Sequence, residues 1–167
     1  MSRVQLALNV SDLDQAVSFY SKLFATEPAK IRPGYANFAI AEPPLKLVLI
    51  EGVGDPGTLN HLGVEVASVD EVDAARTRLA EHGLAAIDER GTTCCYAQQD
   101  KFWVQDTPSG ERWEIYTVLA DSQTFFGATA DGPACCAGDT AAAAERTATS
   151  VKPGPTTASP AEAVVSS

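Results

Sequence analysis

The sequence lacks a long apolar run, and it has few basic residues. No stretch approaches the roughly 20 consecutive apolar residues that a membrane-spanning helix needs. Its 12 lysines and arginines stand against 22 aspartates and glutamates, which gives a net charge of −10. This excess of negative charge argues against nucleic acid or an anionic membrane surface as the main partner.

The sequence also lacks a signal-peptide core, because residues 1–6 lead directly into an alternating strand pattern. Its four cysteines form two adjacent pairs, Cys94-Cys95 and Cys135-Cys136. They do not show the spaced arrangement of a disulfide framework. We therefore expect a cytoplasmic protein whose cysteines are reduced and act as ligands.

Composition divides the chain into a folded part and a tail. From residue 120 to 167, Ala, Thr, Ser, Gly and Pro dominate, and no hydrophobic period is present. Such a segment buries too little apolar surface to offset the entropy lost on ordering. We expect one domain over residues 1–119 and a disordered tail over 120–167 that carries Cys135-Cys136.

The folded part contains an internal repeat with an offset of 56 residues. Gln5-Leu6-Ala7-Leu8-Asn9-Val10 aligns without a gap with His61-Leu62-Gly63-Val64-Glu65-Val66. Each copy has the pattern strand, helix, strand, strand, strand. The predicted fold class is therefore α+β, with two βαβββ modules (about 1–52 and 59–119) that form a cupped mixed sheet. The predicted helices are Leu13–Phe24, capped by Ser11, and Val69–Glu81, capped by Ser68.

Alternation along the strands selects three candidate metal ligands. In three predicted strands the large apolar residues occupy one face, which leaves Gln5, His61 and Glu114 on the other, concave face. An imidazole, a carboxylate and an amide oxygen suit a divalent first-row metal and leave positions open for other ligands. Glu51 is a weaker candidate. Taken singly, each residue has an ordinary structural explanation, so the prediction rests on their combination.

The adjacent thiols of Cys94 and Cys95 suit a soft atom such as trivalent arsenic, Cd(II) or Zn(II). On an extended strand neighbouring side chains point to opposite faces, so the pair must lie in a turn or bulge to share one ligand. Alternatively, one cysteine is a small buried apolar residue and the other an idle surface thiol.

These segments resemble a known family. The repeat, with Gln5, His61 and the run Asp106-Thr107-Pro108-Ser109-Gly110-Glu111-Arg112-Trp113-Glu114, resembles the vicinal oxygen chelate superfamily of glyoxalase I, bleomycin-resistance proteins and extradiol dioxygenases. Within it, Thr92-Thr93-Cys94-Cys95-Tyr96-Ala97 followed by Asp100-Lys101-Phe102-Trp103 is similar to organoarsenical carbon–arsenic lyases and cadmium-induced proteins. The resemblance covers residues 3 to about 118.

The resemblance implies an Fe(II)- and dioxygen-dependent lyase that acts on trivalent organoarsenicals. Gln5, His61 and Glu114 then match the metal positions, and Cys94 and Cys95 match the arsenic-binding pair. Tyr96 and Lys101 are weak candidates for a catalytic role, and Cys135-Cys136 are auxiliary thiols without a motif.

Several alternatives stay open at this point. Zn, Mn, Co or Ni could replace iron. The protein could be a non-catalytic thiol-based protein that binds cadmium or arsenite, or a glyoxalase-type metalloenzyme. The sequence also leaves open the physiological substrate, and whether one chain completes the cup or a homodimer shares it.

Overall fold

The computed structural model describes residues 2–125, which include the whole repeat. The first module consists of β1 (Arg3–Val10), α1 (Leu13–Phe24), β2 (Lys30–Arg32), β3 (Tyr35–Ile40) and β4 (Leu45–Glu51). The second consists of β5 (Leu59–Glu65), α2 (Val69–Glu81), β6 (Ala86–Cys94), β7 (Ala97–Val104) and β8 (Trp113–Asp121). The two modules have the same order of elements, as predicted.

All the strands belong to one curled mixed sheet in the order β2-β3-β4-β1-β5-β8-β7-β6. The first strands of the modules, β1 and β5, pair antiparallel at its centre. Each module's first strand also pairs in parallel with its own last strand, β1 with β4 and β5 with β8. The predicted α+β class and the cupped sheet are confirmed, and the two modules meet along the strands that carry Gln5 and His61.

The apolar face of the central strands packs under the helices. Leu6, Leu8 and Val10 of β1 contact the cluster that includes Leu13 of α1. Val64 of β5 packs on the corresponding cluster beneath α2. Side chains alternate along a strand, so the intervening residues of β1 and β5 face the concave side. This alternation places the candidate ligands away from the helices.

One of the two predicted helix caps is wrong. The cap of α1 is Asp12, whose Oδ1 accepts a hydrogen bond of 2.9 Å from the Gln15 amide, and not Ser11. An aspartate in this position also places negative charge at the positive end of the helix dipole. Ser68 caps α2 as predicted, with its hydroxyl accepting from the Glu71 amide.

The last strands of the second module reach the cysteine pair and extend past the predicted end of the domain. β6 and β7 continue until they meet in a hairpin at the cysteine pair. β8 continues to Asp121, beyond the predicted domain end at residue 119. Cys135-Cys136 and most of the predicted tail lie outside the described residues. Among the helices of residues 2–125, none is long and apolar enough to cross a membrane.

Candidate functional site

Three neighbouring strands bring Gln5, His61 and Glu114 together. β1, β5 and β8 are adjacent, and their registers place Gln5 opposite Gly63, and Gly63 opposite Glu114. The three candidate ligands are buried on the concave face, with exposed fractions of 4%, 2% and 3%. Residues that are more than 50 positions apart in the sequence thus meet at the centre of the cup.

Gly63 allows these side chains to meet. It lies between Gln5 and Glu114 in the sheet, so the Gln5 side chain must pass over it to reach the carboxylate. A Cβ at residue 63 would lie only 3.3 Å from Gln5 Nε2 and 3.2 Å from Gln5 Cβ. The absence of a side chain at this position therefore decides how close Gln5 comes to Glu114.

The three polar groups have the spacing of a metal-binding set. Gln5 Nε2 lies 2.9 Å from His61 Nε2 and 2.9 Å from Glu114 Oε1. The remaining pair, His61 Nε2 and Glu114 Oε1, is 3.4 Å apart. Ligands about 2.0–2.1 Å from a shared ion, at right or tetrahedral angles, are themselves about 2.9–3.4 Å apart. The residues present therefore fit a divalent cation, provided that the amide of Gln5 presents its oxygen.

His61 is held so that its Nε2 atom faces the other two ligands. Its Nδ1 lies 2.7 Å from Asn60 Oδ1, and Asn60 Nδ2 donates in turn to Asn9 Oδ1 over 2.9 Å. Since the amide oxygen can only accept, Nδ1 carries the proton and the lone pair of Nε2 faces Gln5 and Glu114. Asn60 could not be singled out from the sequence, because it lies next to the ligand and outside the motif.

Lys101 keeps Glu114 charged. Its fully buried ammonium lies 3.0 Å from Glu114 Oε2 and 3.6 Å from Glu89 Oε2. Burial alone would raise the pKa of Glu114, but the positive charge of Lys101 outweighs it and holds the pKa well below its usual value. Lys101 thus contacts a candidate metal ligand. From the sequence it was only a weak candidate for a catalytic role.

The first module does not supply a fourth ligand. The registers of β1 with β4 and of β5 with β8 make Val48 the repeat equivalent of Glu114. Val48 is apolar and buried. Glu51, the weaker candidate, lies at the far end of β4, where its Oε1 accepts from the Leu13 amide over 3.0 Å. Three side chains therefore converge at the centre of the cup, and the first module adds an apolar one beside them.

Cys94 and Cys95 lie at the hairpin between β6 and β7. Cys94 ends β6, Ala97 begins β7, and the two residues between them, Cys95 and Tyr96, have φ angles of 55° and 59°. This left-handed backbone is unusual for residues other than glycine and costs free energy. It brings the two sulfur atoms to 3.2 Å from each other. The pair thus lies in a turn, the condition under which the two thiols can share one ligand.

Several contacts fix this turn in place. The Cys95 amide donates to the carbonyl oxygen of Phe125, and the Tyr96 hydroxyl donates to the carbonyl oxygen of Pro33. The rings of Tyr35, Tyr96 and Phe125 lie with centroids 5.4–6.1 Å apart. Tyr96 therefore has a structural contact here, and its aromatic neighbours supply an apolar surface beside the thiols.

The redox state of the pair decides whether it can bind a soft atom. Cys94 is disulfide-bonded in this structure, which differs from the expectation that all the cysteines are reduced. Its separation of 3.2 Å from the Cys95 sulfur is much longer than an S–S bond. Both thiols become available together only after the disulfide is reduced.

A cavity of about 200 Å³ connects the thiol turn to the candidate ligands. Cys95, Gln5 and Glu114 all line it. Gln99 lines it too, and its buried Oε1 has no hydrogen-bond partner within residues 2–125. Sequence analysis missed Gln99, although its position two residues before Lys101 on β7 places it on the same face. The cavity therefore has a sulfur atom, two of the three candidate ligands and an additional acceptor in its walls.

Comparison with known proteins assigns the chain to a family. Residues 3–115 match the model of the Glyoxalase/Bleomycin resistance protein/Dioxygenase superfamily. The chain belongs to this superfamily. The predicted resemblance is thus confirmed.

Two kinds of relative from this superfamily are similar over most of the chain. The cadmium-induced protein CadI of Mycobacterium tuberculosis (strain ATCC 25618 / H37Rv) is 62% identical over 151 residues, which covers 86% of this chain and 99% of the relative. A trivalent organoarsenical cleaving enzyme of Thermomonospora curvata is 62% identical over 137 residues, which covers 81% of this chain and 89% of that enzyme.

Solved structures of the superfamily share the fold at low sequence identity. An Mn(II)-bound glyoxalase from Novosphingobium aromaticivorans superposes with a TM-score of 0.52 at 21% identity, over 73% of this chain and 42% of the other. An extradiol ring-cleaving dioxygenase from B. fuscum also gives 0.52, at 19% identity, over 72% of this chain and 34% of the other. These similarities support the architecture alone.

Proposed function

We propose that the protein cleaves the carbon–arsenic bond of trivalent organoarsenicals, with Fe(II) as cofactor and dioxygen as co-substrate. The observation that supports this best is that Cys95 and the candidate ligands Gln5 and Glu114 line one cavity. The relative that is named a trivalent organoarsenical cleaving enzyme, at 62% identity, points the same way. A thiol and a nitrogen–oxygen site around one space suit a substrate whose arsenic binds sulfur while its carbon approaches a metal.

In this proposal the reduced thiols of Cys94 and Cys95 hold the arsenic atom. The two sulfurs are 3.2 Å apart in the structure, so after reduction one soft atom can bond both while the turn keeps this backbone conformation. Fixing the arsenic at the cavity wall directs its organic substituent into the cavity. This positioning replaces a bimolecular encounter by a reaction between groups that are already oriented.

Gln5, His61 and Glu114 would hold the cation, and two of them, Gln5 and Glu114, also line the cavity that reaches Cys95. Fe(II), when bound there, supplies the activation of dioxygen, and Zn, Mn, Co and Ni are the alternatives for this donor set. Lys101 holds Glu114 in its anionic form, and Asn60 orients the ring of His61. The buried positions of all three ligands limit the access of water to the reacting groups.

The overall change balances for methylarsenous acid as CH3As(OH)2 + O2 → CH2O + As(OH)3. The methyl carbon is oxidised, dioxygen is reduced, and arsenic stays trivalent.

The test is to incubate the thiol-reduced protein with Fe(II) and methylarsenite in air. We expect arsenite and formaldehyde in equal amounts, and neither of them without oxygen. Protein that has demonstrably bound iron and releases no arsenite in air would refute the proposal.

Variants separate the two halves of the site. Cys94→Ser should lose binding of the arsenical and keep Fe(II), whereas His61→Ala should lose Fe(II) and keep the arsenical. His82→Ala is the matched control, because His82 is exposed at the end of α2 and should retain full activity. Loss of both ligands in either variant would indicate general unfolding instead.

A second candidate function is the non-catalytic binding of cadmium or arsenite by the thiols. The relatives that are named cadmium-induced protein CadI favour it. In that case the reduced protein should bind Cd(II) stoichiometrically, and the His61→Ala variant should keep this binding. The Cys94→Ser variant should lose Cd(II) binding, and no arsenite should form from methylarsenite in air.

A further inference from the structure

The amide of Gln5 lies between the candidate metal site and a second group of buried polar side chains. On one side its Nε2 faces His61 and Glu114, both at 2.9 Å. On the other side its Oε1 lies 2.5 Å from the hydroxyl of Tyr116. That hydroxyl is also 3.0 Å from Lys46 Nζ and 2.9 Å from Glu65 Oε2. The orientation of the amide therefore depends on both groups.

In the orientation that the structure shows, two acceptors compete for one proton. A phenol has a single O–H donor and two acceptor lone pairs. Gln5 Oε1 and Glu65 Oε2 both lie within hydrogen-bonding distance of Tyr116 and can only accept. One of these two oxygens therefore receives no hydrogen bond from Tyr116. At the other end, the amide nitrogen, which cannot ligate a metal, faces His61 and Glu114.

Half a turn of the amide removes this competition. Its NH2 group would then donate to the Tyr116 oxygen, which also accepts from Lys46 and donates its own proton to Glu65. One donated and two accepted hydrogen bonds use the full capacity of the hydroxyl. The same rotation moves Gln5 Oε1 to the side of His61 Nε2 and Glu114 Oε1. Three acceptor atoms would then point at one another, which is unfavourable unless a cation lies between them.

We propose that cation binding turns the side-chain amide of Gln5 through half a rotation, and that Tyr116 is the positioning residue that stabilises the turned form. The inference rests on the cation site described above and concerns how that site changes when it is filled. Lys46 and Glu65 fix the hydroxyl of Tyr116, because Lys46 donates a hydrogen bond to it and Glu65 accepts one from it. The ligand set is then completed by a rotation of one amide.

The direct test is NMR of the reduced, isotope-labelled wild-type protein with and without Zn(II), which is diamagnetic. Without the cation, the side-chain amide protons of Gln5 should show nuclear Overhauser contacts to the ring of His61. With Zn(II) bound, these contacts should disappear, and contacts to the ring of Tyr116 should take their place. Zn(II) binding at His61 with unmoved amide contacts would overturn the inference.

A double-mutant cycle tests the role of Tyr116 through anaerobic titration with Fe(II). Tyr116→Phe removes the acceptor for the turned amide, so we expect cation binding to weaken by about 5- to 150-fold. In a Gln5→Glu background no such acceptor is needed, because the two carboxylate oxygens are equivalent. There the same change should weaken binding by less than about threefold. Equal losses in both backgrounds would mean that Tyr116 acts only on the structure, and would overturn the proposal.

These outcomes differ from a failure of the proposed function, since no arsenical is present. A protein that binds Fe(II) and turns its amide but does not cleave methylarsenite would refute carbon–arsenic cleavage alone. A protein that binds neither Fe(II) nor Zn(II) would overturn the cation site and this inference together.

Discussion

Gly63→Ala should weaken cation binding while the protein stays folded. The added Cβ would lie 3.2 Å from Gln5 Cβ, 3.2 Å from Tyr116 Cε1 and 3.3 Å from Gln5 Nε2. Overpacking of this kind costs about 1–3 kcal/mol, whereas replacing a strand glycine regains about 0.5–1 kcal/mol. The net loss in unfolding free energy should therefore be about 2.5 kcal/mol or less. Displacing a ligand from its set should weaken Fe(II) binding by about 10- to 100-fold.

The assay combines thermal unfolding of the cation-free protein with anaerobic Fe(II) titration. Val64→Ala is the matched control, because Val64 is the next residue of β5 but packs on the helix side. We expect it to lower stability and to leave the Fe(II) affinity unchanged. If Gly63→Ala binds Fe(II) as tightly as the wild type, then close packing over residue 63 does not decide where Gln5 lies, and the reasoning fails.

Three further predictions concern other parts of the site. Asn60→Leu removes the acceptor for His61 Nδ1 and should weaken Fe(II) binding by about 10- to 100-fold, whereas Asn60→Asp, which keeps an oxygen there, should retain most of the affinity in the same titration. Partial burial would raise the pKa of Glu65, but Lys46 outweighs this effect and lowers the pKa below 4.5. The stabilisation from this pair is thus present above pH 4.5 and is lost as the pH falls towards the pKa that Glu65 has in the folded protein. The difference in urea stability between wild type and Lys46→Met should therefore shrink below pH 4.5. A difference that stays constant with pH would contradict a role for the charge of Glu65. Cys95→Gly relieves a φ of 55° and should stabilise the reduced protein by about 1–2 kcal/mol relative to Cys95→Ser, while both variants lose arsenical binding; equal melting temperatures would show that the turn is not strained.

The convergence of Gln5, His61 and Glu114 could be anticipated from the internal repeat and from the alternation of side chains along a strand. The offset of 56 residues places Gln5 and His61 at equivalent positions, and the alternation of a strand decides which face each occupies. Neither argument needs the path of the loops. The sequence could not show that Gly63 lies between Gln5 and Glu114, because this depends on the register of three strands.

The hairpin at the cysteines was harder to anticipate. Two-residue turns of this kind usually carry asparagine, aspartate or glycine, because both central residues have positive φ. Here Cys95 and Tyr96 occupy these positions, so the usual turn signal is absent. The sequence therefore predicts a turn at this pair only as the condition for the two thiols to share one ligand. The cap of α1 was misplaced for a simpler reason, since Ser11 and Asp12 are adjacent and both are favourable caps.

The two modules have diverged, and their differences account for the arrangement of the site. The first contributes one candidate ligand, Gln5, and has the apolar Val48 where the second has Glu114. The second contributes His61, Glu114 and the thiol turn. A symmetric pair of modules would surround the centre with four polar groups and leave no directional opening. Val48 lines the cavity together with Cys95, so the position on the first module that corresponds to Glu114 adds an apolar side chain to the cavity wall and no further ligand.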